Sequence, residues 1–262
     1  MESTMFRHCV CRGVVSKTAG PRRNFTAGLC VLAFISLATL VSPPAAAQLS
    51  PGYGVVGAPM SNFLSTSYLT QSVVNDLSTP KRVQAAAKAA PENASAAALL
   101  VPTRGPATMP AKLAAHYPAA QQAKAHALFD DLLQRYRGIE KQFGIPHGDL
   151  GGALAAFLVG SWMGLHNRSF PDERFPPVVA QMRSVLAAQP GLADAPEDDR
   201  REMYEQMAIL AMLMAGTQMA LQQRPDAATE SRLRDAARAY LGQFFKADAE
   251  RIGFGPGGLR VE

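Results

Sequence analysis

Cysteine is absent from most of the chain. Cys9, Cys11 and Cys30 are the three cysteines, and all of them lie within the first 47 residues. A protein that begins after residue 47 therefore has no disulfide, no thiol nucleophile and no cysteine-ligated metal. Its stability must come from a packed core.

Net charge is also nearly absent beyond those 47 residues. The chain carries 26 Lys and Arg against 21 Asp and Glu. The first 47 residues hold five of the basic side chains and one acidic side chain, which leaves 21 and 20 and a net charge of +1. The pI of 9.3 is thus mainly a property of the N-terminus. Without a basic excess, we predict no nucleic-acid partner.

Common catalytic motifs are missing as well. The sequence contains no G-x-S-x-G nucleophile elbow, no phosphate-binding P-loop and no H-E-x-x-H metalloprotease helix.

The N-terminus is typical of a cleavable signal peptide. Basic residues precede an uncharged apolar run over 25–41, and Pro43-Pro44 and then Ala45 to Ala47 follow it. Cleavage near Ala47 predicts a periplasmic or secreted protein that begins near Gln48. The alternative is an uncleaved membrane anchor, for which the apolar run is short of the ~20 residues that a spanning helix needs.

Two export routes, Sec and twin-arginine, are possible for such a signal, and the residues around the start of the apolar run distinguish them. Arg22-Arg23-Asn24-Phe25 resembles the core of a twin-arginine signal. Pro21, however, stands where Ser or Thr is usual, and the apolar run is more hydrophobic than that pathway prefers. We therefore favour the Sec route.

Residues 48–117 read as a linker. They contain seven prolines and repeated alanine runs with few aromatic residues. Such a composition buries too little apolar surface to offset the entropy of ordering, so we predict a largely disordered linker. Residues 62–77 are a possible exception, because their apolar residues recur at spacings that fit a short helix or strand.

Residues 118–262 predict one helical domain. Apolar periodicity, caps and breakers indicate five helices. Their approximate ranges are 118–143, 149–166, 176–188, from just after Pro196 to 223, and 226–245. Residues 252–259 are expected to be irregular, with Phe254 packing back on the helices, and no strand is predicted.

The fourth predicted helix is apolar on every side between Met207 and Leu221. A helix of this kind is surrounded by neighbours, so it should be the buried central helix. The predicted fold class is all-α, an orthogonal or bundle-like domain of about five helices behind a disordered linker.

Metal-binding side chains are sparse. His126 and Asp130 lie one helical turn apart and could form two ligands of a metal site, but no third ligand follows at a recognisable spacing. The alternative is that His126 and Asp130 are ordinary polar residues on a solvent-exposed helix face. The methionines of the fourth helix suggest Cu(I), yet they are distributed around the helix as core residues would be. We expect no cofactor.

Glu202 and Glu205 are the candidate catalytic residues. Paired carboxylates can serve as general acid and base, as in glycoside cleavage. The competing interpretation is that they are charged residues at the entry of a helix, beside Arg200 and Arg201. His147 and His166 lie at a predicted helix start and end, where a structural role is expected.

The stretch from Met203 to Leu210, behind an export signal and a Pro/Ala-rich linker, resembles an uncharacterised family of bacterial exported helical domains. The resemblance covers roughly residues 118–260. It implies an exported helical domain and carries no site residues.

We therefore predict a non-enzymatic interaction or accessory module with a possible protein partner in the cell envelope. Membrane contact would arise only through an uncleaved signal segment. One alternative is a cell-wall-directed hydrolase that uses Glu202 or Glu205. Another is a binder of a small ligand or lipid, with a cavity beside Gly160 and Gly164.

Overall fold

The computed structural model describes residues 100–261 apart from 190, 193, 246 and 247. The predicted signal peptide, the linker as far as residue 99 and the possible element at 62–77 lie outside the described residues.

Helices dominate the described part of the chain, which also contains a small antiparallel sheet. Two 3-10 turns are also present, at Asp172–Arg174 and Ala249–Arg251. The regular elements are α1 (Met109–Ala114), α2 (Ala119–Phe143), α3 (Leu150–His166), α4 (Phe175–Ala187), α5 (Glu197–Gln223), α6 (Ala227–Phe245), β1 (Ile252–Gly255) and β2 (Gly258–Val261). The predicted all-α domain is confirmed, and α2 to α6 match the five predicted helices to within one residue at each end.

Local capping explains this agreement. The Asp149 side chain accepts a hydrogen bond from the Gly152 N–H (3.1 Å) at the start of α3. Asp226 accepts one from the Thr229 N–H (2.7 Å) at the start of α6. Gly144 adopts a left-handed conformation, with φ 63°, at the end of α2. Each device satisfies backbone groups that a helix end leaves free.

The core lies where α3 and α5 pack together. The predicted central helix, α5, is buried continuously from Met203 to Ala215. Its partner α3 is buried almost as completely. A Cβ atom on Gly160 would lie 2.8 Å from the Ala211 carbonyl oxygen, so the backbones touch at this point. The small residues of α3 therefore permit close helix packing, and they leave no room for a ligand beside Gly160.

The ordered domain extends further toward the N-terminus than residue 118. We call residues 100–117 the entry segment. It includes the six-residue helix α1, and Val101, Met109, Leu113 and Tyr117 in it are buried. Its apolar side chains are too few and too widely spaced to form a periodic pattern, so composition alone suggested a linker.

The C-terminal residues form a hairpin, so the prediction of an irregular tail without strands was wrong. Strands β1 and β2 pair in antiparallel register, with Phe254 opposite Leu259. The buried Gln181 side chain accepts from the Leu259 N–H (2.6 Å) and donates to its carbonyl (3.0 Å). A glutamine from α4 thus supplies hydrogen bonds that a third strand would otherwise provide.

Phe254 packs on the helices as predicted. Its ring lies 5.1 Å from that of Phe170 and 5.9 Å from that of Trp162, both nearly perpendicular to it.

Among the described residues, no helix is long and apolar enough to cross a membrane.

Candidate functional site

Polar side chains collect at the N-terminal part of α5, where its sequence changes from charged to apolar. They form two adjoining groups. One is the Glu140 cluster, made of Tyr136, Glu140, His147 and Tyr204. The other is the segment clamp, made of Lys112, Arg201, Glu202 and Glu205.

Glu140 is the centre of the first group. It is 2% exposed although it carries a carboxyl group. One oxygen accepts from the Tyr204 hydroxyl (2.7 Å) and from the Gly148 N–H (3.1 Å), and the other lies 2.6 Å from His147 Nδ1. Three partners therefore replace the water that burial removes.

The loop between α2 and α3 brings these partners together. Gly148 has φ +84°, and a Cβ atom there would lie 2.4 Å from the Val101 carbonyl oxygen. The Gly148 carbonyl accepts from the Val101 N–H (3.0 Å). Only glycine meets both requirements, so this loop position fixes the entry segment beside His147.

His147 links the buried carboxylate to the surface. Its side chain is 43% exposed, and its ring packs edge-on against Tyr204 at 6.2 Å. Because Nδ1 is engaged by Glu140, the opposite edge with Nε2 is the part left for other contacts. A carboxylate that orients an imidazole in this way is common to histidines that bind ligands or move protons.

Two buried tyrosines complete the cluster. Burial, and then the Glu140 charge, raise the pKa of Tyr204, while the Arg137 guanidinium acts in the opposite direction. Burial, followed by Glu140, also raises the pKa of Tyr136 well above its usual value. Both phenols are therefore neutral. Within the part of the chain that the structure describes, the buried Tyr136 hydroxyl has no hydrogen-bond partner.

The segment clamp holds the entry segment. Glu205, 3% exposed, accepts from the Thr108 and Met109 N–H groups at 2.9 and 3.0 Å and from Arg201 Nε at 2.9 Å. Arg201 also donates to three consecutive carbonyls, those of Arg104, Gly105 and Pro106, at 2.8, 3.3 and 2.6 Å. Lys112 and Glu202 form an ion pair.

A family model, described as a family of unknown function (DUF6683), matches residues 28–262. The chain belongs to this family. The resemblance to an uncharacterised family is thus confirmed. No curated protein and no solved structure matches the chain.

In this DUF6683 chain the two candidate catalytic residues lie in the clamp. Glu205 uses both oxygens on Arg201 and the backbone of the entry segment. Glu202 is paired with Lys112. The structure brings both carboxylates together with the chain's own segment.

The candidate metal residues lie elsewhere, on α2. His126 Nδ1 is 3.3 Å from Asp130 Oδ2, and both side chains are about half exposed. No group of three or more His, Cys, Asp or Glu side chains placed to hold a metal occurs among the residues from 100 onward that the structure describes. The α5 methionines are buried in the core.

Sequence reasoning did not identify Glu140 or Tyr204. The sequence feature that could have identified Glu140 is its position, four residues after Tyr136 on the apolar side of α2. A charged residue at such a position must find partners when it is buried. No spacing rule connects residues 140, 147 and 204, which only the fold brings together.

Proposed function

We propose that the chain is an exported interaction or accessory module of the cell envelope, with a leader, a Pro/Ala-rich spacer and a helical domain after the spacer. One observation carries this proposal. The charged groups at the start of α5, which could have formed a catalytic pair, bind the chain's own entry segment instead. They hold the entry segment on the rest of the helical domain.

The family match supports the same architecture. It covers residues 28–262, so it includes the predicted spacer as well as the helical domain. The matched range therefore supports a spacer and a domain that occur together in one chain.

The two alternatives have less support. Close contact between Gly160 and Ala211 fills the space in which a ligand cavity was expected. A hydrolase that uses Glu205 would have to release two backbone N–H groups and Arg201 before that carboxylate could act.

Export is tested by fractionation of cells that produce the full chain, with mass spectrometry of the product. We expect a periplasmic or secreted protein that begins near Gln48. Replacing Arg22 and Arg23 by lysine should leave export intact, because we favour the Sec route. A full-length product retained in the cytoplasm would refute the proposal.

Interaction is tested by site-specific photo-crosslinking, which the lack of cysteine after residue 30 makes simple. A photo-crosslinker is attached to Ala111→Cys, beside the clamp, and to Gln243→Cys on α6 as the control; both positions are exposed. We expect a discrete product from Ala111→Cys in intact cells that unlabelled protein competes away. Absence of a competed product at both positions would refute an interaction role.

A further inference from the structure

Four aromatic rings meet where the end of α3 lies against the hairpin, and we call them the hairpin cluster: Trp162, His166, Phe170 and Phe254. The ring centroids of Trp162 and His166, one turn apart on α3, lie 4.9 Å from each other. Trp162 also packs on Phe170 and Phe254, in both cases at 5.9 Å and nearly perpendicular. Since Phe254 belongs to β1, Trp162 connects the His166 ring to the hairpin.

His166 is the titratable member of this cluster. Its Nε2 atom is buried and has no hydrogen-bond partner among the residues that the structure describes. A neutral imidazole can leave one ring nitrogen without a proton, whereas an imidazolium carries N–H donors on both nitrogens. A buried N–H donor without an acceptor is costly, so this position of the ring suits the neutral form. Uptake of a proton therefore favours movement of the ring.

The charged groups that act on the His166 ring come from two neighbouring segments. Burial lowers the pKa of His166 below its ordinary value of 6.5, Glu250 opposes this, and Arg168 adds to it. Glu250 lies in the 3-10 turn before β1 and is itself paired with Arg238 of α6 at 3.1 Å. Arg168 lies in the loop after α3. The native structure thus favours neutral His166, and the charged form is reached only at mildly acidic pH.

We propose that His166 is a proton-sensitive switch for the hairpin. When its ring takes up a proton, the ring leaves Trp162, and β1 and β2 lose part of their packing on α3. Hydrogen bonds between Gln181 and Leu259 still hold β2, so the change loosens the hairpin without releasing it. Histidine suits such a switch because its charge changes between about pH 5 and 8. The inference goes beyond the proposed interaction role and depends on neither export nor a partner.

The first readout is the fluorescence of Trp162, which is the only tryptophan in the chain and so reports on the hairpin cluster directly. In purified protein we expect its emission to shift to longer wavelength on acidification, with a midpoint below pH 6.5, as the indole gains contact with water.

Amide hydrogen exchange is the second readout. Protection factors over residues 252–261, corrected for the pH dependence of exchange itself, should fall between pH 7.5 and 5.5. We expect a fall of about tenfold, the equilibrium change for one buried donor without an acceptor. The fall should be larger in the hairpin than in the middle of α5.

Two variants test whether His166 is the group that responds. His166→Phe keeps an aromatic ring against Trp162 and replaces the buried Nε2 edge by an apolar one, so its emission and its hairpin protection should be the same at pH 7.5 and 5.5. His126→Gln is the control. It removes a histidine that pairs with Asp130 on α2, outside the hairpin cluster, and should keep the wild-type response. Circular dichroism at both pH values checks that each variant is folded.

An equal response in His166→Phe and in the wild type would overturn the proposal. So would an emission change that depends on His166 without loss of hairpin protection, because a cation can also stay on the face of Trp162 and quench it in place. Both results would leave the export and crosslinking tests of the interaction role unaffected.

Discussion

At the residue scale, the buried Glu140 carboxylate depends on its donors. Glu140→Gln keeps the size of the side chain but turns one acceptor oxygen into an NH2 group that faces donors. We expect a loss of about 2 kcal/mol in the free energy of unfolding, and about 1 kcal/mol for Tyr204→Phe. Urea denaturation measures both values.

The double variant shows whether these two side chains act together. In Glu140→Gln protein the Tyr204 hydroxyl has lost its ionised partner, so the added cost of Tyr204→Phe should fall below its cost alone. Strictly additive losses would mean that the 2.7 Å hydrogen bond contributes no coupling.

Two glycines provide a test of the close contact in the core. Gly160→Ala would place a methyl group 2.8 Å from the Ala211 carbonyl oxygen, whereas a Cβ atom on Gly216 meets nothing within 4 Å. We expect Gly160→Ala to destabilise the protein by about 1–3 kcal/mol through overpacking. Gly216→Ala, within α5, should stabilise it by up to about 1 kcal/mol through helix propensity. Thermal or urea unfolding measures the stability of both variants. Equal changes in stability for Gly160→Ala and Gly216→Ala would contradict the close contact at Gly160.

At the scale of elements, the clamp should control how firmly α1 is held. Glu205→Gln weakens the hydrogen bonds from the Thr108 and Met109 N–H groups, so both amides should exchange with deuterium faster while α3 amides keep their rates. Glu202→Gln is the control, because it removes an ion pair with a half-exposed Lys112 and should change those amides little. No acceleration in Glu205→Gln would show that the clamp does not hold the segment.

Elements with strong local signals were predictable from the sequence. Helices α2 to α6 combine apolar periodicity with caps such as Asp149 and Asp226, so both their existence and their ends were correct. Helix α1 has only six residues and begins at Met109, so local signals are few, and contacts with α2 and α5 hold it in place. The hairpin was missed because β1 contains two glycines, β2 begins with one, and the contact that holds Leu259, from Gln181, is 78 residues away.

The polar site was less predictable because its contacts also join residues that are far apart in the sequence. The sequence identified Glu202 and Glu205 as a pair but gave no sign that Lys112 would pair with Glu202, or that the backbone at Thr108 and Met109 would bind Glu205. It placed His147 at a helix start, and in the structure Asp149 caps that helix, α3. The partnership of Glu140 with Tyr204 depends on two helices crossing, which no local pattern encodes.

At the scale of the whole molecule, His166 should make stability depend on pH. Burial lowers its pKa below the ordinary value of 6.5, Arg168 adds to this, and Glu250 opposes it. The unfolded chain then binds a proton that the native state resists, so stability is complete above pH 6.5 and falls as the pH drops below it. Denaturation of His166→Asn between pH 5 and 7.5 should show a weaker pH dependence than the wild type.

The extent of the folding unit is tested by two shortened chains. One begins at Leu100 and keeps the entry segment, and the other begins at Pro118, the boundary that composition suggested. The second chain loses Val101, Met109, Leu113 and Tyr117, each 5% exposed or less. At about 1.5–3 kcal/mol for each large buried apolar side chain, the loss should be on the order of 5 kcal/mol or more. A domain of this size has only about 5–15 kcal/mol of stability in total, so the shorter chain should be largely or wholly unfolded.

Urea unfolding of the two shortened chains and of the full-length protein compares their free energies of unfolding. Equal stability of the two shortened chains would show that the entry segment lies on the domain without supporting it.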